Sequence, residues 1–322
     1  MLPMVFALAA YLLWGLFPAF FPLLEPASPV EIIAHRITWT AVIMAGVVFV
    51  TGGFRQLRHA SLSLWLHIAA AGGLIAVNWL VYVIAVNSSH VADAALGYFI
   101  NPLVNVLLGI MFLHERLRPA QVASIAIAAT AVAILTLLAG QPPIVALVLA
   151  FSFGFYGLVK KRIPLPASTS LAAETLVLAP VAIGYIVVIE ATGTGTFTGF
   201  GCGHSTLLIS AGLVTAVPLL LFGMAAKQVP LSTIGMLQYI TPTMQMLWAV
   251  FVTREHIEPI RWVAFGIIWV AVILFLFDTY RHRRVPRPAN KASASSEPDE
   301  PRTDSMPHLG EEPPPPPPPG RR

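Results

Sequence analysis

Ten stretches of about 20 residues, each nearly free of charge, divide the first 280 positions of the chain. No other feature constrains the fold as tightly. Each stretch is long enough to cross the roughly 30 Å hydrocarbon core of a bilayer. Lipid offers no hydrogen bonds, so a spanning backbone must satisfy its own N–H and C=O groups, and a helix does this within one segment. The stretches fall at roughly 4–22, 29–51, 62–86, 92–113, 119–139, 143–160, 168–190, 205–226, 231–253 and 259–280. Only 11% of the residues are charged and 57% are apolar, where a soluble domain carries about 25% charged residues. The expected fold class is an all-α integral membrane protein.

The remaining charges set its orientation, because Lys and Arg accumulate in cytoplasmic loops. Arg55, Arg58, Arg116, Arg118, Lys160, Lys161, Arg162 and Lys227 fall in alternate connectors, and Arg281, Arg283, Arg284 and Arg287 follow the last stretch. The other side carries only Arg254 and Arg261, next to Glu255 and Glu258. Both termini are therefore expected in the cytoplasm. The same distribution explains the net charge of +4 without nucleic acid. The first apolar run has no basic residues before it and no convincing cleavage site, and is expected to be a retained helix. The single cysteine, Cys202, excludes an internal disulfide. The connector 191–204 is rich in Gly and Thr and is expected to be flexible; it lacks the Gly-Lys-Ser/Thr ending of a phosphate loop. Residues 285–322, which end in the proline run Pro313 to Pro319, are expected to form a disordered tail.

The chain also repeats. A shift of 140 positions lays the two halves on each other without a gap from Gly72/Gly212 onward, matching Pro102 with Pro242, Glu115 with Glu255 and Pro119 with Pro259. Earlier, Ala7-Leu8 meets Ala146-Leu147 and Trp14-Gly15 meets Phe153-Gly154. Five stretches per half is an odd number, so the second half enters the membrane from the opposite side. The expectation is ten transmembrane helices as two inverted five-helix repeats, residues 1–140 and 141–284, around a central cavity. Two similar halves of opposite orientation can exchange conformations, which is the basis of alternating access.

Each half carries a polar face around a proline. Tyr98, Asn101 and Asn105 surround Pro102; Gln238, Thr241 and Gln245 surround Pro242, with Tyr239 beside them. The spacing places each set on one helical face. Helix kinks are expected at both prolines, with a transport site between them. Asn78, Asn87, Asn101, Asn105, Gln238 and Gln245 are amides at membrane depth; any one of them can equally be helix-to-helix glue. Together they favour a polar cavity, with Trp14, Trp79, Tyr82, Tyr98 and Tyr239 as candidate walls. Arg36 lies about 10 Å inside the second stretch, where an intramembrane arginine marks a functional site by default. Two readings stand: it binds a substrate carboxylate or phosphate, or it pairs with Asp93. Glu174 is a poorer partner, with an axial gap of roughly 13 Å. His35, Asp93 and Glu174 are candidates for coupling or gating. Glu115 and Glu255 are expected at the N-terminus of the helix that follows each. Asn87-Ser88-Ser89 matches a glycosylation sequon and is discounted. His114-Glu115 lacks the second histidine of a zinc-protease motif.

These residues resemble the drug/metabolite transporter superfamily, its EamA-type domains and in particular the RarD family. The resemblance rests on Ala10-Tyr11-Leu12-Leu13-Trp14-Gly15-Leu16-Phe17-Pro18, Glu31-Ile32-Ile33-Ala34-His35-Arg36, Ala76-Val77-Asn78-Trp79 and Ala85-Val86-Asn87. It continues through Leu96 to Asn105, Glu115-Arg116-Leu117, Pro230-Leu231-Ser232-Thr233 and Leu237 to Thr243. The family implies ten helices around a cavity in the bacterial inner membrane, and transport of small metabolites or drugs. The proline-rich tail and the lack of basic residues before the first helix depart from its pattern.

A secondary transporter is therefore the leading function. No nucleotide-binding domain is expected, so a gradient or exchange must drive it. An intramembrane enzyme would need an acid–base or metal constellation at one depth, and the titratable residues are spread over opposite thirds of the membrane. A scaffold or sensor acting through the tail is the other alternative. The expected partners are a small-molecule substrate, anionic in one reading of Arg36, and the lipid bilayer; a homodimer is an assembly left open. No nucleic acid, cofactor or metal is expected.

Overall fold

The computed structural model describes residues 2–87, 91–138, 144–254 and 259–283, without the side chains at 83, 85–97, 249, 261 and 283. Asp93, Asn87, Glu255 and the tail 285–322, all singled out in the sequence, lie outside the described side chains. The described chain is helical, with no strand in it. Helix α1 (Leu2–Gly15) continues through α2 (Phe17–Phe20) and a 3-10 turn (Phe21–Leu24). Then follow α3 (Pro29–Val50), α4 (Phe54–Arg58), α5 (Leu62–Asn87), α6 (Val91–Leu113) and α7 (Pro119–Leu138). The second half contributes α8 (Ile144–Arg162), α9 (Ala167–Ala191), α10 (Gly201–Gln228), α11 (Leu231–Gln238), α12 (Ile240–Phe251) and α13 (Pro259–Arg283). Pro29, Pro119 and Pro259 each open a helix, where the missing N–H costs nothing. At Pro29 a capping box joins Ser28 and Glu31.

Among the described residues, eight helical segments are long and apolar enough to cross a membrane: Leu2–Leu24, Pro29–Val50, Leu62–Tyr82, Pro119–Leu138, Ile144–Arg162, Ala167–Ala191, Gly201–Gln228 and Trp262–His282. The other two expected spans are the proline-centred pair. In α6 the side chains are described from Tyr98 on, and the piece Tyr98–Leu113 is apolar. The partner span is broken into α11 and α12 at Tyr239. Pro242 has no N–H to give the carbonyl of Gln238, and α11 ends at that residue. Pro102, by contrast, sits inside α6, which runs on through it. The two prolines thus act differently: one ends a helical turn, the other is absorbed. Pro180 and Pro218 are likewise accommodated inside α9 and α10.

The helices of the two halves interlock. Helix α1 packs on α10, α11 and α12; α3 on α9 and α10; α5 on α8 and α9; α6 on α8 and α11. Three crossings are close because a glycine lies at each. A Cβ on Gly212 would fall on Trp39 of α3, and Thr40 Oγ1 donates to the Gly212 carbonyl at 3.0 Å. A Cβ on Gly72 would stand 3.2 Å from the carbonyl oxygen of Glu174 in α9, and one on Gly235 only 2.6 Å from that of Pro102 in α6. Close backbone approach of this kind is what packs helices where lipid supplies no hydrophobic drive between them. Helices α7 and α13 share an apolar cluster with α11, built on Ala128, Val132, Tyr239, Ile268 and Phe275.

The connectors sort to two ends. At the basic end, Arg118 pairs with Asp278 at 2.6 Å, Lys161 Nζ donates to the Val229 carbonyl at 2.6 Å and Arg162 to that of Phe112 at 3.3 Å. Glu115 is also there, but not on the helix that follows it. Its carboxylate accepts from the Leu231 and Ser232 backbone N–H groups at 2.5 and 3.0 Å and from Ser232 Oγ at 2.6 Å. It therefore caps the free N–H groups of α11, in the other half of the chain.

At the opposite end the 191–204 connector is held, not flexible as its composition predicts. Glu31 Oε1 accepts from Thr196 N at 2.7 Å and Thr196 Oγ1 at 2.9 Å. Thr196 Oγ1 also meets His204 Nε2 at 2.8 Å. Glu190 accepts from Phe197 N at 3.0 Å and from the Thr198 hydroxyl. Two carboxylates borne on helix ends thus fix a loop whose own residues have little structural preference.

Candidate functional site

The two proline-centred faces meet. Asn105 Nδ2 donates to Gln238 Oε1 at 2.8 Å, both side chains being buried. This joins α6 to α11 about 12 Å from the basic end by helical rise, beside the Pro102–Gly235 crossing. Asn105 Oδ1 is left without a partner. It faces α8, where Cβ atoms on Gly154 and Gly157 would lie 3.6 and 3.9 Å away. Asn101 is buried in the same face, and its Oδ1 is also unpartnered.

The rest of the second face is turned to other helices. Thr241 Oγ1 donates to the Tyr11 carbonyl at 3.0 Å and Gln245 Nε2 to that of Trp14 at 3.4 Å, tying α12 to α1. Tyr239 lies in the cluster with α7 and α13, its hydroxyl unpartnered. Asn78 donates to the Leu149 carbonyl at 2.8 Å and Ser152 Oγ at 3.0 Å, so it joins α5 to α8. Of the amide side chains that bond across helices among the described residues, Asn78 and Gln245 bind backbone carbonyls, as helix glue does.

Arg36 occupies a separate layer near the loop end. Its Nε donates to Thr215 Oγ1 of α10 at 2.9 Å. Its guanidinium lies over Trp79, 4.4 Å from the ring centroid, and near Phe21 and Phe17 at 5.3 and 5.5 Å. Rings on three sides replace water with π-faces, which attract a cation. Tyr82 and Tyr98 stand edge to face at 6.0 Å. Arg36 is 8% exposed, yet no carboxylate pairs with it among the described residues. His35 turns away from it: its Nδ1 accepts from Trp39 Nε1 at 3.2 Å, its ring stacks on Phe197 of the held loop at 4.8 Å, and its Nε2 is buried without a partner.

Glu174 is engaged in a third layer. Lys160 Nζ lies 2.6 Å from Glu174 Oε1, with the two side chains 0% and 2% exposed. Ser170 Oγ donates to the same oxygen at 2.5 Å and the Tyr156 hydroxyl to the other at 3.4 Å. Lys160 reads in sequence as a loop charge of the basic end. The structure instead buries it, with its stem against Gly223. Its four-carbon stem lets a residue in the last turn of α8 reach a carboxylate two turns into α9. That pairing was open to inspection: opposite charges one short turn apart in sequence face each other across a helical hairpin. Tyr156 connects this layer to a cluster of rings in which Phe222 touches Tyr11, Trp14, Phe153 and Tyr156. These rings fill space between α1, α8 and α10. A groove of about 460 Å³ lies on the outside of the same contact, lined by Leu13, Phe17, Phe20, Leu213, Val217 and Pro218 among others. Phe17, Phe21, Tyr156, Thr215 and Phe222 escaped the sequence reading because apolar and hydroxyl residues in a membrane helix look like packing.

Comparison with known proteins agrees with this architecture. The EamA-like transporter family matches residues 1–137. The protein RarD of Streptomyces exfoliatus is 43% identical over 90% of this chain and 93% of its own. The uncharacterized transporter YojE of Bacillus subtilis is 42% identical, over 88% of this chain and 96% of its own. A protein of known crystal structure shares the fold with a TM-score of 0.68 at 18% identity, covering 87% of this chain and 99% of its own.

Proposed function

Because the chain belongs to the RarD family of EamA-like transporters, a multi-pass membrane transporter of small molecules, we propose that it works by alternating access between two inverted five-helix repeats, residues 1–140 and 141–284. The observation that carries this reading is the pairing of helices. When α1, α3, α5, α6 and α7 are exchanged for α8, α9, α10, α11–α12 and α13, the major contacts map onto one another. The α5–α8 contact becomes α1–α10, α6–α8 becomes α1–α12, and α3–α10 becomes α5–α9. Matched glycines sit at matched crossings: Gly72 on α9 and Gly212 on α3. Packing of this kind, matched with the halves reversed, supports rocking of one repeat against the other as the route between inward-open and outward-open states.

In this reading the conformation is closed at both ends. Glu31 with Thr196 seals the loop end and Glu115 with α11 seals the basic end; each clamp links one half to the other. The register that lays Ala7-Leu8 on Ala146-Leu147 also lays Phe17, Phe21 and Arg36 on Tyr156, Lys160 and Thr175. The Arg36 layer and the Lys160–Glu174 layer are then equivalent positions at opposite ends. We assign recognition to Arg36 with Trp79, Tyr98, Asn101 and Asn105. Gating is assigned to His35 and Asp93 at the loop end and to Glu174 at the other. The proposed setting is the bacterial inner membrane, with the basic end cytoplasmic.

The test pairs an untargeted metabolite comparison of deletion and overexpression strains with flux of the leading compounds into proteoliposomes. The proposal expects flux that Arg36→Ala or Asn105→Ala reduces. Flux unchanged in Arg36→Ala, Asn105→Ala and Gln245→Ala alike would overturn the site.

A further inference from the structure

We propose, resting on the transport reading above, that the Arg36 layer recognises a singly charged amphipathic anion: one carboxylate or phosphate-type head on an apolar body. The head site is built. Arg36 is nine-tenths buried, and its one hydrogen bond among the described residues uses Nε. The two terminal nitrogens carry no hydrogen bond among the described residues. With Nε held by Thr215 and the plane held over Trp79, the remaining edge is a fixed two-donor fork. That geometry matches a carboxylate or phosphate oxygen pair.

The charge of the ligand follows from electrostatics. No carboxylate pairs with Arg36 among the described residues, and a cation at this depth is costly unless neutralised. A monoanion brings the local charge to zero; a dianion leaves one negative charge in low dielectric, and an amine adds a second positive one. The body site follows from position. Thr215, which holds Arg36, stands on α10 between Val214 and Val217, and Phe17 belongs both to the ring cage and to the wall of the 460 Å³ groove. A ligand whose head meets Arg36 therefore finds apolar surface one side chain away. Such a ligand can come from solution or from the bilayer, as an anionic lipid, since the groove lies between α1–α2 and α10 at the outside of the bundle.

The experiment uses the full chain in phosphatidylcholine nanodiscs and reads thermal midpoint and intrinsic tryptophan fluorescence, to which Trp79 contributes. The probes are phenylacetate, phenylacetamide and phenethylamine, which share one body and differ in charge. A separate arm replaces part of the lipid with phosphatidylglycerol and omits the soluble probes. The expected result is binding of phenylacetate alone among the three, or protection by phosphatidylglycerol if the source is lipid. Binding should weaken about tenfold or more in Arg36→Gln and less in Arg36→Lys, which keeps charge but loses the fork. Arg36→Lys also covers the case in which Arg36→Gln fails to fold. Equal binding of the amide, binding unaffected by either variant, or no response to either anion overturns the proposal. Flux of phenylacetate into liposomes is measured separately. Binding without flux counts against transport and leaves the anion site standing; flux of neutral solutes untouched by Arg36→Gln does the reverse.

Discussion

Replacing Lys160 by methionine keeps most of the side-chain volume and removes the charge. The structure shows what is left behind: a Glu174 carboxylate about 2% exposed, with hydroxyls of Ser170 and Tyr156 as its remaining donors. Removing one partner of a buried ion pair typically costs about 3–5 kcal/mol, because the other charge stays desolvated. The two hydroxyls soften the loss, so Lys160→Met should cost about 3 kcal/mol. Glu174→Leu strands an ammonium whose other hydrogen bond is to Ser170 Oγ at 3.1 Å, and should cost at least as much. The double variant removes both charges, and replacing a buried pair with apolar groups is often neutral. It should be no less stable than either single variant, which gives a coupling of about 3 kcal/mol across the cycle. Unfolding in mixed micelles with increasing dodecyl sulfate measures all four proteins. If the two single losses simply add in the double variant, the pair is not the unit described here.

The close crossings predict a contrast among glycines. Gly212→Ala and Gly235→Ala press a methyl against backbone and should each cost about 2 kcal/mol, while Gly46→Ala and Gly73→Ala, with nothing within 4 Å of the new Cβ, should be neutral or slightly stabilising; thermal midpoints in detergent compare them. Glu31→Gln weakens the charge-assisted bonds to Thr196 and should release the 192–200 loop to limited proteolysis at least several-fold faster than in the unmodified chain. Cys202 is exposed at the start of α10, so a membrane-impermeant maleimide should label it from the outside of spheroplasts; labelling only after lysis would place the basic end outside.

Much of the helical framework was legible from charge alone, since lipid excludes both charges and unpaired backbone groups. The expected spans 29–51, 62–86 and 168–190 recur nearly residue for residue as α3, α5 and α9. Side-chain direction was not legible. Asn105 and Gln238 were both picked from a spacing argument and do meet, but Thr241 and Gln245, picked with Gln238, turn to α1, and Tyr239, expected as a cavity wall, packs its ring with α7 and α13. Periodicity assigns a face; it does not say which neighbour that face meets. The break before Pro242 and the unbroken path through Pro102 differ for the same reason, since neighbours decide whether a lost hydrogen bond is tolerated. Lys160 misled because a long side chain separates the charge from its backbone position. The held loop misled because its order comes from Glu31 and Glu190, outside the sequence that looks flexible.

Alternating access makes one demand that packing alone does not: the two ends must open in opposition. Spin labels at Leu23 and Thr198 span the halves at the loop end, and labels at Arg116 and Gln228 span them at the basic end; all four positions are exposed or near the surface. Electron–electron distance measurements in nanodiscs, with Cys202 replaced by serine, should give two distances for each pair, with conditions that lengthen one pair shortening the other. A single unchanging distance at both ends, or two pairs that lengthen together, would contradict the account.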